Sequence, residues 1–122
     1  NIAGFYPCAR ARFGPDLPAN QLIGDLFFVE DNVAPTADGC DSIINANLIN
    51  GKIAVMNFGT CPITEKVKKA QNAGAIAVVI INTLGFLFPL VGNDSTINIP
   101  SITLTASAAN LLINELNLGK LR

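Results

Sequence analysis

The sequence contains no histidine and no tryptophan, and charged residues make up only 14% of its 122 positions. The lack of histidine excludes Ser/His/Asp and Cys/His catalytic arrangements, the HExxH zinc motif and the usual proton carrier near neutral pH. Eight Lys and Arg with a net charge of -1 cannot neutralise a row of phosphates. The composition therefore predicts neither histidine-dependent hydrolysis nor nucleic-acid binding within these residues.

Long apolar runs and cofactor motifs are also missing. The longest apolar run, residues 75–81, falls well short of the ~18 residues that cross a bilayer, so no membrane insertion is expected. Neither GxxxxGK[ST] nor GxGxxG occurs, which leaves no phosphate-binding loop. The acidic residues lack the DxDxDG spacing of a calcium loop, and we expect surface or turn positions for Asp25, Glu30, Asp31, Asp38 and Asp41. The sequence thus predicts no cofactor and no metal.

The residues that are present indicate one domain over residues 1–122. Half of them are hydrophobic, enough to fill a single core. Glycine and proline interrupt residues 1–24, so we expect an irregular segment that wraps the domain, with one short strand near Phe13. Because the sequence begins without an initiator methionine, we expect a piece excised from a larger protein.

A strand, a helix and a second strand are predicted in the middle of the chain. Asn-Gly at 50–51 is a strong turn signal, and the apolar residues after it predict a strand at 52–57. The helix is predicted to begin beside Pro62. Proline has no main-chain N–H group, and in the first turn of a helix that group would be unpaired anyway. The helix is predicted to end at Gly74. The apolar run at 75–81 follows as a strand. This order predicts two parallel strands joined by a helical crossover.

The helix is predicted to be amphipathic. Its apolar face is formed by Ile63, Val67, Ala70 and Gly74. The polar residues are predicted to point elsewhere: Glu65, Lys66, Lys68, Lys69 and Gln71. Glu65 and Lys69, four apart, are predicted to form a solvated ion pair.

Further strands are predicted before and after this unit. "GDLFFVED" has an apolar centre bounded by turn formers and predicts a strand at 25–30. "IPSITLT" predicts another at 101–105, after which Thr105 would cap a helix over 106–116.

The three cysteines leave two hypotheses open. Cys40 and Cys61 bracket a strand, so a disulfide between them is plausible, which would leave Cys8 unpaired or joined to another part of a parent chain. Alternatively, Cys61 is a reactive thiol, because it lies at a helix N-terminus where thiol pKa values fall. A disulfide would indicate an oxidising compartment.

Four motifs, "GKIA", "GTCP", "K..AQ.AGA.AV...N" and "IPS", follow one another with a familiar spacing. In this order they resemble the protease-associated (PA) domain over residues 38–118, and "FGPDL" and "GDL" resemble the versions in secreted bacterial peptidases. The resemblance implies an α+β (mixed α/β) fold, a partly open β-barrel or sandwich flanked by two α-helices. It also implies the disulfide between Cys40 and Cys61. Phe58 stands where many members carry Arg, so a polar role for that position is not carried over.

The resemblance implies a non-catalytic domain of a secreted or extracellular peptidase, serving protein interaction or substrate-access control. Its expected partners are the catalytic domain of the same parent chain and protein or peptide substrates. The alternatives are a receptor-type domain that binds peptides or sorting signals, and the thiol or redox enzyme. The expected contact surface is the connection at 83–94, which is rich in large apolar groups. The alternative is that these side chains fold back and complete the core. The predicted contact residues are Phe58, Leu84, Phe86, Leu87, Phe88 and Leu90.

Overall fold

A computed structural model of the chain describes residues 8–10, 13–15, 25–31, 37–59, 61–82 and 91–108. These residues form one five-stranded sheet in the order β1-β5-β4-β3-β2. The strands are β1 (Cys8–Arg10), β2 (Leu26–Phe28), β3 (Ile53–Asn57), β4 (Ala77–Asn82) and β5 (Ser101–Thr105). Strands β2 to β5 run parallel, and β1 pairs antiparallel with β5. The predicted mixed α/β class and the parallel pairing of the two central strands are confirmed.

Among the described residues, two helices lie between these strands, α1 (Ala46–Ile49) and α2 (Ile63–Asn72). Helix α2 confirms the prediction, with Pro62 as its N-cap residue and Gly74 in the left-handed region at φ +93°. Helix α1 was not predicted, because four residues are too few to show helical periodicity.

The start of the last predicted helix is confirmed. A helical turn over residues 106–108 follows β5. The main-chain N of Ala108 donates to Oγ1 of Thr105 at 3.3 Å, which is the cap expected from the sequence. Residues 109–116 of that predicted helix lie outside the described residues.

The short strand predicted near Phe13 ends three residues before it. Phe13 lies in a bend and is buried in the core, and the nearby strand is β1. Its pairing with β5 places Ala9 opposite Thr103. The sequence misplaced this strand because it spans three residues in a stretch rich in glycine and proline, where no alternation can develop.

The outer edge of β2 is closed by a side chain. Nδ2 of Asn45 donates to the main-chain O of Phe28 at 2.9 Å, and Oδ1 of Asn45 accepts from the main-chain N of Glu30 at 3.0 Å. The main-chain N of Ile44 donates to the O of Glu30 at 2.8 Å. Asn45 therefore supplies the hydrogen bonds that a further strand would make, and β2 ends at Phe28, earlier than predicted.

Helix α2 covers one face of the sheet. Val67 and Ala70 are fully buried and belong to the same core cluster as Met56 and Ile80 of the central strands. This confirms the predicted apolar face of the helix. Residues such as Val55 and Ile81 form a second cluster, on the opposite face of the same strands.

Candidate functional site

The cysteines at the carboxyl end of β3 are joined. Sγ of Cys40 is bonded to Sγ of Cys61, and their Cα atoms are 5.8 Å apart. The bridge connects the loop of residues 37–41, here called the disulfide loop, to the turn that precedes α2. The thiol-enzyme hypothesis requires a free thiol at Cys61. In this structure the sulfur of Cys61 is instead part of the disulfide.

The disulfide loop lies directly against the core. Gly39 adopts φ +71°, and a Cβ atom at this position would come within 2.7 Å of Sδ of Met56. The main-chain N of Asn57, the last residue of β3, donates to the O of Ala37 at 2.8 Å. A side chain at position 39 would therefore strain the backbone and require either the loop or the Met56 side chain to move.

Lys66 of α2 is fully buried, so its predicted exposed position is wrong. Its Nζ donates to the main-chain O of Asp38 at 2.6 Å and of Asn57 at 2.9 Å. Burial lowers the pKa of Lys66 below its ordinary value, while the negative charges of Asp38 and Asp31 oppose that shift. The spacing along the helix could have indicated that Lys66 is buried. Lys66 lies three residues after Ile63 and four before the buried Ala70, so it shares their face of the helix.

Two acidic residues predicted at surface or turn positions are buried, although Asp38 does lie in a bend. Asp31 is 1% exposed and Asp38 2% exposed, and each has an oxygen within 4.8 Å of the other and of Asp41. Three carboxylates at this spacing could contact one cation, and the buried ammonium group of Lys66 lies beside two of them. The predicted exposure is correct for Asp41, as it is for Asp25 and Glu30.

Lys69 binds the disulfide loop. Its Nζ donates to the main-chain O of Cys40 at 2.9 Å, whereas Glu65 is exposed. Among the described residues these two side chains do not form the predicted ion pair. Lys69 contributes a positive charge one helical turn from Lys66 and lowers the pKa of Lys66 further.

Most of the predicted contact surface lies outside the described residues: Leu84, Phe86, Leu87, Phe88 and Leu90. The structure describes the residue before the connection at 83–94 and its last residues, 91–94. Asn82 is fully buried at the end of β4, and Val91, where the description resumes, is 64% exposed. Phe58 is half-buried and packs against the core cluster under α2.

The segment that follows the predicted contact surface is fastened to α2. Nζ of Lys68 donates to Oγ1 of Thr96, and Nε2 of Gln71 donates to the main-chain O of Thr96 at 2.9 Å. Oε1 of Gln71 accepts from the main-chain N of Asn98 at 2.7 Å. These contacts hold residues 96–98 against α2.

None of the described helices has the length and apolar character needed to cross a membrane.

Comparison with known proteins places these features in a family. The family model of the PA domain matches residues 24–112. The chain is 32% identical over 114 residues to signal peptide peptidase-like 4 of Oryza sativa subsp. japonica, covering 90% of the chain and 20% of that protein. It is 31% identical over 116 residues to ER degradation-enhancing alpha-mannosidase-like protein 3 of Xenopus laevis, covering 87% of the chain and 12% of that protein.

Solved structures with the same fold include bacterial aminopeptidases. A zinc aminopeptidase from Bacillus subtilis aligns with a TM-score of 0.69 at 26% identity, over 91% of this chain and 26% of that one. The aminopeptidase from Aneurinibacillus sp. strain AM-1 aligns with a TM-score of 0.69 at 20% identity, over 94% of this chain and 26% of that one. This chain thus spans about a quarter or less of these relatives. Since the PA model matches most of its length, the chain belongs to the PA domain family.

Proposed function

We propose that this chain is a non-catalytic, secreted accessory domain of a peptidase, which binds protein segments or controls substrate access to a catalytic domain of the same parent chain. The observation that carries the proposal is the PA match over residues 24–112 together with the shared fold of bacterial aminopeptidases. The proposed domain spans residues 1–122, with its motif core at 38–118.

The chemistry of the chain supports a role without catalysis. The sequence has no histidine, and Cys61 is engaged in a disulfide in the described structure. Asp38 lies within the disulfide loop, and the buried Lys66 donates to its main-chain O, so this contact of the lysine holds the loop in place. A disulfide also favours an oxidising compartment outside the cytosol.

The proposed contact surface is the apolar connection around Phe86 and Phe88. Its support is the density of large apolar side chains in residues 84–90 and the firm attachment of the residues that follow to α2. Phe58 is included as a proposed contact residue, although its packing against the core limits the surface it offers.

The test uses the full-length protein that contains this chain, with Phe86→Ser and Phe88→Ser combined. Hydrolysis of a folded protein substrate should lose about tenfold in kcat/KM, because ~1.4 kcal/mol of lost contact energy corresponds to that factor. Hydrolysis of a dipeptide substrate and the Tm should stay unchanged. The matched control combines Ile44→Ser, just before α1, with Leu48→Ser, within α1, and both are exposed apolar residues.

Two outcomes would contradict the contact surface. A large fall in Tm for the phenylalanine variant would show that these side chains complete the core. An equal loss of kcat/KM in the control variant would show that removing any exposed apolar side chain has the same effect.

A receptor-type domain that binds peptides or sorting signals is the second candidate. It is favoured by the 28% identity over 119 residues to the receptor homology region, transmembrane domain- and RING domain-containing protein 2 of Arabidopsis thaliana. If the full-length protein hydrolyses neither substrate but binds peptides in a titration, this candidate replaces the first.

A further inference from the structure

The disulfide loop is attached to α2 by two kinds of bond. The first is the bond between Sγ of Cys40 and Sγ of Cys61. The second is a pair of ammonium groups: Nζ of Lys66 donates to the O of Asp38 at 2.6 Å, and Nζ of Lys69 donates to the O of Cys40 at 2.9 Å. We call these two lysines the lysine clamp.

The disulfide and the lysine clamp both connect the disulfide loop to α2 or to the turn that precedes it. Cys61 lies just before α2, while Lys66 and Lys69 are three residues apart and so share one face of the helix. Lys66 also donates to the O of Asn57 at 2.9 Å, which ties the clamp to the end of β3. The clamp therefore spans the helix, the loop and the sheet without using either sulfur atom.

The surroundings strengthen the clamp. Lys66 is fully buried, and hydrogen bonds from a charged donor are stronger where water is excluded. The carboxylates of Asp38 and Asp31 favour the charged form of this lysine. Gly39, between the two clamped carbonyl groups, lets the loop backbone approach Met56 closely.

We propose that the lysine clamp keeps the disulfide loop docked when the disulfide is reduced, so that the domain holds Cys40 and Cys61 as a preformed pair of thiols. In that reduction a dithiol reductant supplies two electrons and two protons. The Sγ–Sγ bond breaks, each sulfur becomes a thiol, and the reductant forms its own disulfide. The fold stays closed around the pair, and the bridge re-forms readily when an oxidising disulfide is present.

The test measures how closely the two thiols are held. In a Cys8→Ser background, the reduced protein reacts with oxidised glutathione to give a mixed disulfide, and the second protein thiol then expels glutathione. The first-order rate constant for closing the disulfide is divided by the second-order rate constant for the reaction with oxidised glutathione. The division corrects for any effect of a lost charge on thiolate reactivity. This ratio is an effective concentration, and Lys69→Met should lower it by about tenfold or more.

Lys68→Met is the matched control, because Lys68 is on the same helix but donates to Thr96 instead. Its ratio should equal that of the unsubstituted protein. Lys66→Met should act like Lys69→Met if it folds, and the Lys69 variant decides the question if it does not.

Hydrogen exchange gives a second reading. The main-chain N–H of Asn57 donates to the O of Ala37, so its exchange reports whether the loop is docked. It should remain slow in the reduced protein and become fast in reduced Lys69→Met. The proposal is overturned if Lys69→Met leaves both readings unchanged, or if this amide exchanges freely in the reduced protein without substitution.

Discussion

The Nζ atom of Lys66 donates to the main-chain oxygen of Asp38 at 2.6 Å, across 28 positions of the sequence. This contact joins α2 to the disulfide loop at a point fully closed to water. Because the buried carboxylates of Asp31 and Asp38 lie nearby, the positive charge of Lys66 also offsets theirs.

Replacing Lys66 by Met should destabilise the protein strongly. The substitution leaves buried carboxylates without their counter-charge, and breaking a buried charge pair by removing one partner costs about 3–5 kcal/mol. Urea unfolding followed by circular dichroism measures the change. Lys68→Met, which removes a lysine at the surface of the same helix, should stay within about 0.5 kcal/mol of the parent. Equal values for the two variants would contradict the structural role of Lys66.

Replacing Asn45 by Ala should open the outer edge of β2. The main-chain groups of Phe28 and Glu30 would each lose a hydrogen bond, and one such bond contributes about 0.5–1.5 kcal/mol to stability. The Glu30 amide should also exchange faster with solvent. Asn47→Ala, at an exposed position of α1, serves as the control. It should change neither the free energy of unfolding nor the exchange rate of the Glu30 amide.

Two threonines of β5 should respond to valine in opposite directions. Oγ1 of Thr103 is buried and has no hydrogen-bond partner among the described residues, so Thr103→Val should stabilise the protein by about 1 kcal/mol. Oγ1 of Thr105 accepts from the N of Ala108, so Thr105→Val removes a helix cap and should destabilise by about 1 kcal/mol. Thermal unfolding of both variants tests this prediction. It would be contradicted if both substitutions raised the Tm or both lowered it.

The carboxyl pKa of Asp94 should lie below its ordinary value of 3.8. The cause is hydrogen bonding from the side chain and the main-chain N of Thr96. Because the pKa is lower in the folded state, the resulting stabilisation is present above pH 3.8 and is lost as the pH falls through the folded pKa. Thr96→Val should raise the pKa measured by carbon NMR titration, whereas Ser95→Ala should leave it low. An unchanged value in the Thr96 variant would assign the shift to another cause.

Local sequence patterns predicted α2 and the central strands well because those elements bury regular apolar positions. Val67 and Ala70 recur at helical spacing, and the strand at 101–105 was predicted with its observed bounds. Patterns failed where an element is too short to show a period, as for β1 and α1. They also failed for Asp31, Asp38 and Lys66, whose residue types ordinarily indicate exposure.

The sequence by itself determined the family, the parallel arrangement of the central strands and the absence of histidine chemistry. Those conclusions depend on residue identity and on spacing along the chain. Only the tertiary structure decided that Lys66 is a buried cation and that Asn45 closes the sheet edge. The physical reason is that each role depends on carbonyl groups supplied by distant parts of the chain, and a charged or polar side chain can be buried only where folding brings such partners to it.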